Sequence, residues 1–207
     1  EEKLLYVPNA YAGEVSIPKT VKEIDYNAFV DCHKMTKLVI PKEFEGDNYA
    51  FDYASGLTSL KEFVVEEGNP YYYSENGLLF EDGGLIKVPV LAIPAEYELP
   101  SKLANGNVLY YIYSDAFIDC GNLTSVTLSE TIEDISSAQC FRYCHALKEI
   151  KVVKENPYFN SIDGVLYSED GKTVVAFPTQ YAEKSYKVLD GVTTIGSYAF
   201  CYAFNLE

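Results

Sequence analysis

The 207-residue chain has no tryptophan and only one methionine. Basic residues are also scarce, because 16 lysines and arginines face 31 aspartates and glutamates, for a formal net charge of -15. This negative charge repels phosphate backbones and anionic lipid headgroups, so the composition argues against nucleic acid and membrane surfaces as partners. No apolar run approaches the roughly 18 residues that a spanning helix needs, so we expect no membrane insertion by this segment.

Signatures of common cofactor sites are missing as well. The sequence has no GxxxxGK[ST] or GxGxxG loop for phosphates and no EF-hand loop for calcium. Its two histidines, His33 and His145, each directly follow a cysteine, so they look like copies of one exposed turn position. Cys140, Cys144 and His145 supply at most three of the four ligands of a structural zinc site. We therefore expect no cofactor, no metal and no catalytic residue, and predict that the chain is not an enzyme.

What the chain has in abundance is hydrophobic residues at regular spacing, including 19 tyrosines and 11 phenylalanines. One pattern recurs around Phe29, Phe117, Phe141 and Phe200, with a looser copy at Phe51. Each copy offers only about six or seven apolar residues, which is too few to close a core alone. We therefore expect the units to stack, so that each covers its neighbour and the central phenylalanines form a row.

A second unit is interleaved with the first. It begins with Asn-Pro at Asn69 and again at Asn156, and in each copy two apolar runs flank an Asp-Gly pair, Asp82-Gly83 or Asp170-Gly171. This arrangement predicts a β-hairpin, because the central turn positions favour residues that tolerate positive φ.

We interpret residues 1–207 as a single repeat array. Residues 1–13 would form an N-terminal cap or lead-in, about 14–89 and 97–178 a duplicated supermodule, and 186–207 an incomplete last repeat. We expect that the natural chain continues beyond Glu207, or that end-to-end self-association with a second copy covers the incomplete C-terminal repeat.

The order of isoleucine, Ala-Phe, cysteine, leucine, alternating aliphatics and proline closely resembles the BspA-like, or Treponema pallidum type, leucine-rich repeat. NPYFNSIDGVLYSEDGKTVVAFP, from Asn156, resembles the hairpin variant of that repeat. The resemblance covers nearly all of residues 14 to 206. It departs from the pattern at Phe51, where the cysteine position is not clean, and at a six-residue insertion between Pro100 and Phe117.

The resemblance implies a right-handed leucine-rich-repeat solenoid of the α/β horseshoe class, rich in β-strand, with short helical or 3-10 turns and inserted β-hairpin units. It also implies an extracellular location on a bacterial cell surface and a role in adhesion. The repeat cysteines, including Cys120 and Cys144 in neighbouring turns, are expected to be buried free thiols, although a disulfide between those two stays open.

Two surfaces are candidate binding sites. The first is the exposed strand face, where side chains that alternate with the core residues should form one continuous surface: Lys37, Val39, Glu62, Val64, Ser125, Thr127, Ser129, Glu149, Lys151 and Val153. The second is a set of tyrosines in the first hairpin unit and the insertion: Tyr71, Tyr72, Tyr110, Tyr111 and Tyr113. Both sets could also be ordinary solvated or core-capping residues, and no insertion is predicted to be large enough to build a pocket.

These observations favour a non-catalytic cell-surface binding module that attaches to a host or neighbouring-cell protein or glycan through the strand face. Two alternatives stay open. The chain could be a passive solenoid spacer that presents another domain, or, third in order, a carbohydrate-active enzyme that uses two of its many carboxylates.

Overall fold

The structure, a computed structural model, describes residues 2–207. It is a solenoid of about eight turns built almost entirely from short β-strands, as the leucine-rich-repeat interpretation predicted. The strands are β1 (Lys3–Leu4), β2 (Gly13–Ser16), β3 (Glu23–Ile24), β4 (Met35–Ile40), β5 (Glu62–Val65), β6 (Tyr72–Glu75), β7 (Leu78–Glu81), β8 (Gly84–Lys87), β9 (Glu96–Glu98), β10 (Tyr111–Ile112), β11 (Ser125–Leu128), β12 (Asp134–Ile135), β13 (Glu149–Val152), β14 (Phe159–Ile162), β15 (Val165–Ser168), β16 (Thr173–Ala176) and β17 (Thr194–Ile195). One four-residue α-helix, Tyr49–Asp52, and one 3-10 helix, Ala138–Phe141, complete the elements.

Parallel sheets join successive turns along one side of the solenoid. Strands β2, β4 and β5 form one three-stranded sheet, and β9, β11 and β13 form another. Within them, equivalent residues of successive units lie opposite each other, as Leu38 does with Phe63 and Val126 with Ile150. The predicted alternation is present, because these four side chains point into the core.

Shorter strands link the turns along a second line. The pairs β1 with β3, β8 with β10, β10 with β12, and β16 with β17 are all parallel, and each joins two residues at the isoleucine of the repeat pattern. The turns that contribute these strands are therefore hydrogen-bonded to a neighbour at a second place. Within the described residues, no helix is long and apolar enough to cross a bilayer.

The two interleaved units are three-stranded antiparallel sheets, β6-β7-β8 and β14-β15-β16. Asp82 and Gly83 have φ of 44° and 77°, as the predicted two-residue turn requires. In the second copy the predicted hairpin forms, but its loop is longer, because it runs over residues 169–172 and only Gly171 has positive φ. The first hairpin of each unit was not predicted; it turns at residues 76–77 or 163–164, which are Asn-Gly and Asp-Gly pairs with positive φ.

One asparagine ties each hairpin unit to the turn before it. Asn156 donates from Nδ2 to the carbonyl oxygens of Ser129 and Ile132, at 2.7 and 2.9 Å. Its Oδ1 accepts from the backbone N–H groups of Tyr158 and Phe159, both at 2.8 Å. Asn69 makes the same four bonds in the first unit. The Asn-Pro motif is therefore structural.

The core is divided into three clusters rather than one continuous row of phenylalanines. Phe29 stacks on Phe51 with ring centroids 5.9 Å apart, and Phe117 stacks on Phe141 at 5.5 Å. Phe200 instead packs at 4.8 Å on Phe177, which belongs to the second hairpin unit. The expected single row is thus wrong in detail. The first hairpin unit lies between the two phenylalanine pairs, and the second lies between the pair of Phe117 and Phe141 and the single ring of Phe200.

Polar side chains inside the turns donate to carbonyl oxygens of the neighbouring turn. The Cys144 thiol donates to the Phe117 carbonyl at 3.0 Å. In the first hairpin unit Lys87 takes such a role, because its Nζ donates to the carbonyls of Asp52 and Asp115 at 2.5 and 2.8 Å. Burial lowers the pKa of Lys87 to about 8. These donors satisfy backbone groups that would otherwise be buried without a partner.

The cysteines follow the predicted pattern with one exception. Cys32, Cys120, Cys140 and Cys144 are buried free thiols, whereas Cys201 is exposed. Burial raises the pKa of the Cys120 thiol to about 12, so this group stays protonated and unreactive at neutral pH.

Replacing Asn156 with alanine should lower the free energy of unfolding by about 2–4 kcal/mol, because two carbonyl and two N–H groups each lose a hydrogen bond to its side chain. Asn160, which is exposed and makes one bond to the Glu169 carbonyl, is the matched control and should cost less than about 1 kcal/mol. Urea unfolding followed by circular dichroism measures both. Equal midpoints for the two variants would contradict a structural role for Asn156.

Candidate functional site

The strand face is a charged surface whose lysines are already paired. Glu14, Lys37 and Glu62 lie side by side on β2, β4 and β5, and the Lys37 ammonium is 3.4 and 3.7 Å from the two carboxylates. In the second sheet Lys151 pairs with Glu149 at 2.8 Å. Val39, Val64 and Val153 are partly buried. This face therefore offers few unpaired cations and no aromatic cluster within the described sheets.

Two of the strand-face candidates are not accessible. Ser125 and Ser129 are only 4% and 3% exposed, so the expectation that they point into solvent is wrong. Ser125 lies on the central strand opposite Glu96 and Glu149, whose longer side chains flank it. The Ser129 hydroxyl donates to the Pro100 carbonyl at 3.3 Å. Thr127 and Lys151 are partly exposed, as a binding role would require.

Four of the five tyrosines of the second candidate set lie together around one groove of about 430 Å³. We name this the tyrosine groove and define it by its aromatic and polar lining: Tyr71, Tyr110, Tyr111, Tyr113, Glu81, Asp82 and Asn107. Tyr71 and the two carboxylates come from the first hairpin unit, and the others from the insertion and from β10 and its C-terminal flank. The expectation that no insertion would build a pocket is therefore wrong.

Tyr72 does not belong to the tyrosine groove, although it follows Tyr71 directly. Tyr72 is the first residue of β6, and its side chain faces the core whereas that of Tyr71 is exposed. The Tyr72 side chain is 3% exposed and packs on the rings of Phe44 and Phe51. Its hydroxyl donates to the Gly46 carbonyl at 2.7 Å. The prediction that Tyr72 is a surface residue is thus wrong, and it caps the core instead.

The insertion folds back on itself to reach the hairpin. Lys102 and Val108 form an antiparallel bridge, and the Asn105 side chain accepts from the Asn107 N–H at 3.0 Å. The backbone N–H of Tyr110 then donates to the Gly83 carbonyl at 2.9 Å, which docks the insertion on the turn. The insertion's tyrosines are thereby positioned by backbone contacts on one wall of the groove.

Glycine at two successive positions makes this docking possible. A Cβ at Gly83 would lie 2.7 Å from the Tyr110 ring, and a Cβ at Gly84 would lie 2.6 Å from the Tyr113 ring. In the second hairpin unit, where no insertion is present, a Cβ at Gly171 would meet nothing within 4 Å. The sequence shows this Gly-Gly pair in only one of the two hairpin units. The reason for the second glycine becomes clear only from the tyrosine rings that the neighbouring turn brings against it.

Hydrogen bonds orient the acidic wall of the groove. Glu81 Oε2 accepts from the Tyr113 hydroxyl at 3.0 Å and from the Asn48 amide. Tyr111 packs edge-on against Tyr113, with ring centroids 4.9 Å apart. Burial, and then the nearby Glu81 carboxylate, raise the pKa of Tyr113, so its hydroxyl remains a protonated donor. The groove thus combines aromatic surface with one carboxylate, Glu81, that hydrogen bonds hold in place.

The residues that the sequence analysis weighed as metal ligands do not come together. Across residues 2–207, no three or more His, Cys, Asp or Glu side chains are grouped to hold a metal. Cys140 and Cys144 are buried, and His145 is exposed and packs beside Tyr143 and Phe204. Glu81, Asp82 and Asn107 were missed as site residues, because they join the tyrosines only when the insertion docks.

Replacing Gly83 with alanine should displace the insertion and destabilise the protein more than the same change at Gly171. Both glycines have positive φ, so both changes carry the left-handed backbone penalty of about 1–2 kcal/mol. Only Gly83 adds a clash with the Val108 carbonyl and the Tyr110 ring, for which we expect about 1–3 kcal/mol more. Urea midpoints and near-ultraviolet circular dichroism of the tyrosines measure the difference. Equal effects of the two variants would contradict the docking.

Known proteins share this fold. The family described as "BspA type Leucine rich repeat region" matches residues 9–73 and 100–172 of this chain, in six copies of the repeat. A leucine rich cell surface protein from Faecalibacterium prausnitzii is similar in structure, with a TM-score of 0.51, 19% identity, and coverage of 90% of this chain and 56% of that one. No curated protein matches the chain.

Two further solved structures are similar. A leucine-rich repeat protein from Eubacterium ventriosum has a TM-score of 0.49 at 15% identity, over 91% of this chain and 45% of that one. The pneumococcal vaccine antigen PcpA has a TM-score of 0.48 at 20% identity, over 95% and 46%. The chain spans about half the length of these proteins. Because the repeat description matches well over half of its residues, the chain belongs to the BspA-type leucine-rich repeat family.

Proposed function

We propose that this chain is a non-catalytic binding module of an extracellular, cell-surface protein, and that it holds a host or neighbouring-cell macromolecule in the tyrosine groove. The observation that carries the proposal is the convergence of Tyr71 with Tyr110, Tyr111 and Tyr113, from separate segments, on one concave site with carboxylate and amide groups. Membership of a leucine-rich repeat family of bacterial surface proteins supports a surface role.

Tyrosine is well suited to such contacts. It offers a large, rigid and amphipathic surface at low cost in conformational entropy, and it is enriched among the residues that dominate binding energy. Tyr71 is 52% exposed and Tyr110 36%, so both rings have free surface to give to a ligand. A concave site also buries more of a bound group than the strand face does.

The strand face is the weaker candidate. Ser125 and Ser129 are buried, and Lys37 and Lys151 are engaged by glutamates of the same face. A ligand there would have to replace these ion pairs to reach either lysine. In the groove, by contrast, Glu81 accepts hydrogen bonds only from the neutral groups of Tyr113 and Asn48, so its negative charge is not paired with a cation.

Two double variants distinguish the surfaces. Tyr71→Ala with Tyr110→Ala removes the exposed rings of the groove, and Thr127→Arg with Lys151→Glu alters the strand face. We measure saturable binding to immobilised matrix proteins, mucins and glycans by biolayer interferometry. The groove variant should lose at least 10-fold in affinity and the strand-face variant less than 2-fold, with both urea midpoints near the parent.

Each other outcome contradicts the proposal in a specific way. Loss confined to the strand-face variant would place the site on β11 and β13. Absence of saturable binding across the panel would identify a spacer. Turnover of a glycan that disappears on substitution of Glu81 or Asp82 would identify an enzyme.

A further inference from the structure

We infer that the tyrosine groove selects a positively charged group, and that its ligand is a basic segment of a partner protein that inserts an arginine or lysine side chain. This inference rests on the proposed function, because it names the ligand chemistry of the same site. The tyrosines alone would suit a protein ligand and a glycan ligand equally, and the charge of the groove distinguishes between these two classes.

The first argument is the uncompensated negative charge. Glu81 receives hydrogen bonds only from neutral donors, the Asn48 amide and the Tyr113 hydroxyl. Among the described residues, no lysine, arginine or histidine nitrogen lies within 4.0 Å of the carboxylate of Glu81 or Asp82. The lining contains no basic side chain either. A cationic ligand would supply the missing partner.

Two carboxylates elsewhere in the chain show the pairing that the groove lacks. The buried Asp115 carboxylate is paired with Arg142 at 3.0 Å, and on the strand face Glu149 is paired with Lys151. The groove holds two adjacent carboxylates without such partners. Because the site is concave, it concentrates their negative electrostatic potential. With a net charge of -15, the whole chain adds to this attraction for cations.

The second argument is the aromatic wall. The face of a tyrosine ring is negative, so it attracts an ammonium or guanidinium group, and arginine makes this contact more often than lysine. The chain already contains one example, because the Arg142 guanidinium lies 5.4 Å from the centre of the Tyr143 ring. In the groove, four tyrosines and the two carboxylates line the same site, so a bound cation would have both kinds of group as neighbours.

The third argument is the shape of the site. A second depression, of about 260 Å³, adjoins the groove and shares Pro70, Tyr71, Asp82 and Asn107 as its wall. The Asn107 amide can both donate to and accept from a peptide backbone. An extended peptide segment could place one side chain in each of the two adjoining depressions, with its backbone beside the acidic and amide groups between them.

An acetylated and amidated Arg-Gly-Arg tripeptide and its citrulline counterpart form a matched pair of probes. Citrulline replaces the guanidinium with a neutral urea of nearly the same shape. Binding to the full chain is measured by NMR chemical-shift titration at low salt, with EDTA present to exclude divalent cations. We expect the arginine peptide to bind at least 10-fold more tightly, with shifts confined to residues around the groove. Neutral and sialylated oligosaccharides complete the set of probes.

The variant Glu81→Gln with Asp82→Asn neutralises the groove, and asparagine tolerates the left-handed turn conformation at position 82. The matched control, Glu96→Gln with Glu98→Gln, removes the same charge from exposed positions of β9. We expect at least a 10-fold loss of arginine-peptide affinity in the groove variant and less than 2-fold in the control.

Equal affinity for the arginine and citrulline peptides, equal losses in the two variants, or no binding of the arginine peptide would overturn the inference. Binding of an oligosaccharide that is abolished by Tyr71→Ala with Tyr110→Ala would also overturn it, but would leave the proposed binding function of the groove intact. Ligand binding that this tyrosine variant does not weaken would instead contradict the proposed function itself.

Discussion

The inner face of each turn has to be covered by the turns on either side of it, and this constraint shapes the rest of the molecule. A single unit contributes one central phenylalanine and a few aliphatic side chains, which cannot exclude water alone. Contacts between turns therefore supply the core, as in the stacking of Phe29 on Phe51 and of Phe117 on Phe141. The same contacts satisfy buried carbonyls, through Cys144, Thr179 and Lys87.

The hairpin units interrupt this regular stacking, and the candidate site arises at one of these interruptions. The β6-β7-β8 unit separates two core clusters and presents the Asp82-Gly83 turn at the surface. The insertion before β10 docks on that turn, where the glycines leave room for the tyrosine rings. The second hairpin unit has the same backbone bonds through Asn156 but no docked insertion. The groove is thus a local departure from the repeat, built on a backbone that both copies share.

Much of the fold could be predicted from the sequence, because repeat periodicity depends on local spacing. The positions of Leu38, Val126 and Ile150 in the core follow directly from alternation. The exposure of individual side chains was harder to predict. Ser125 is covered by glutamates of adjacent strands, and Tyr72 is directed to the core by the strand pleat next to an exposed Tyr71. The groove depends on which turn the insertion contacts, and no local pattern in the sequence specifies that contact.

The central claim is that the stability of each turn depends on the turns that cover it. Native-state hydrogen exchange of a Phe117→Ala variant tests this claim most directly. The lost ring should cost about 3–5 kcal/mol in its own cluster. The account predicts that amide protection falls at least 10-fold in β11 and β13, which pack on the cluster of Phe117 and Phe141, while β2 and β4 keep the protection of the parent protein. An equal fall in all four strands, or no fall in β11 and β13, would contradict it.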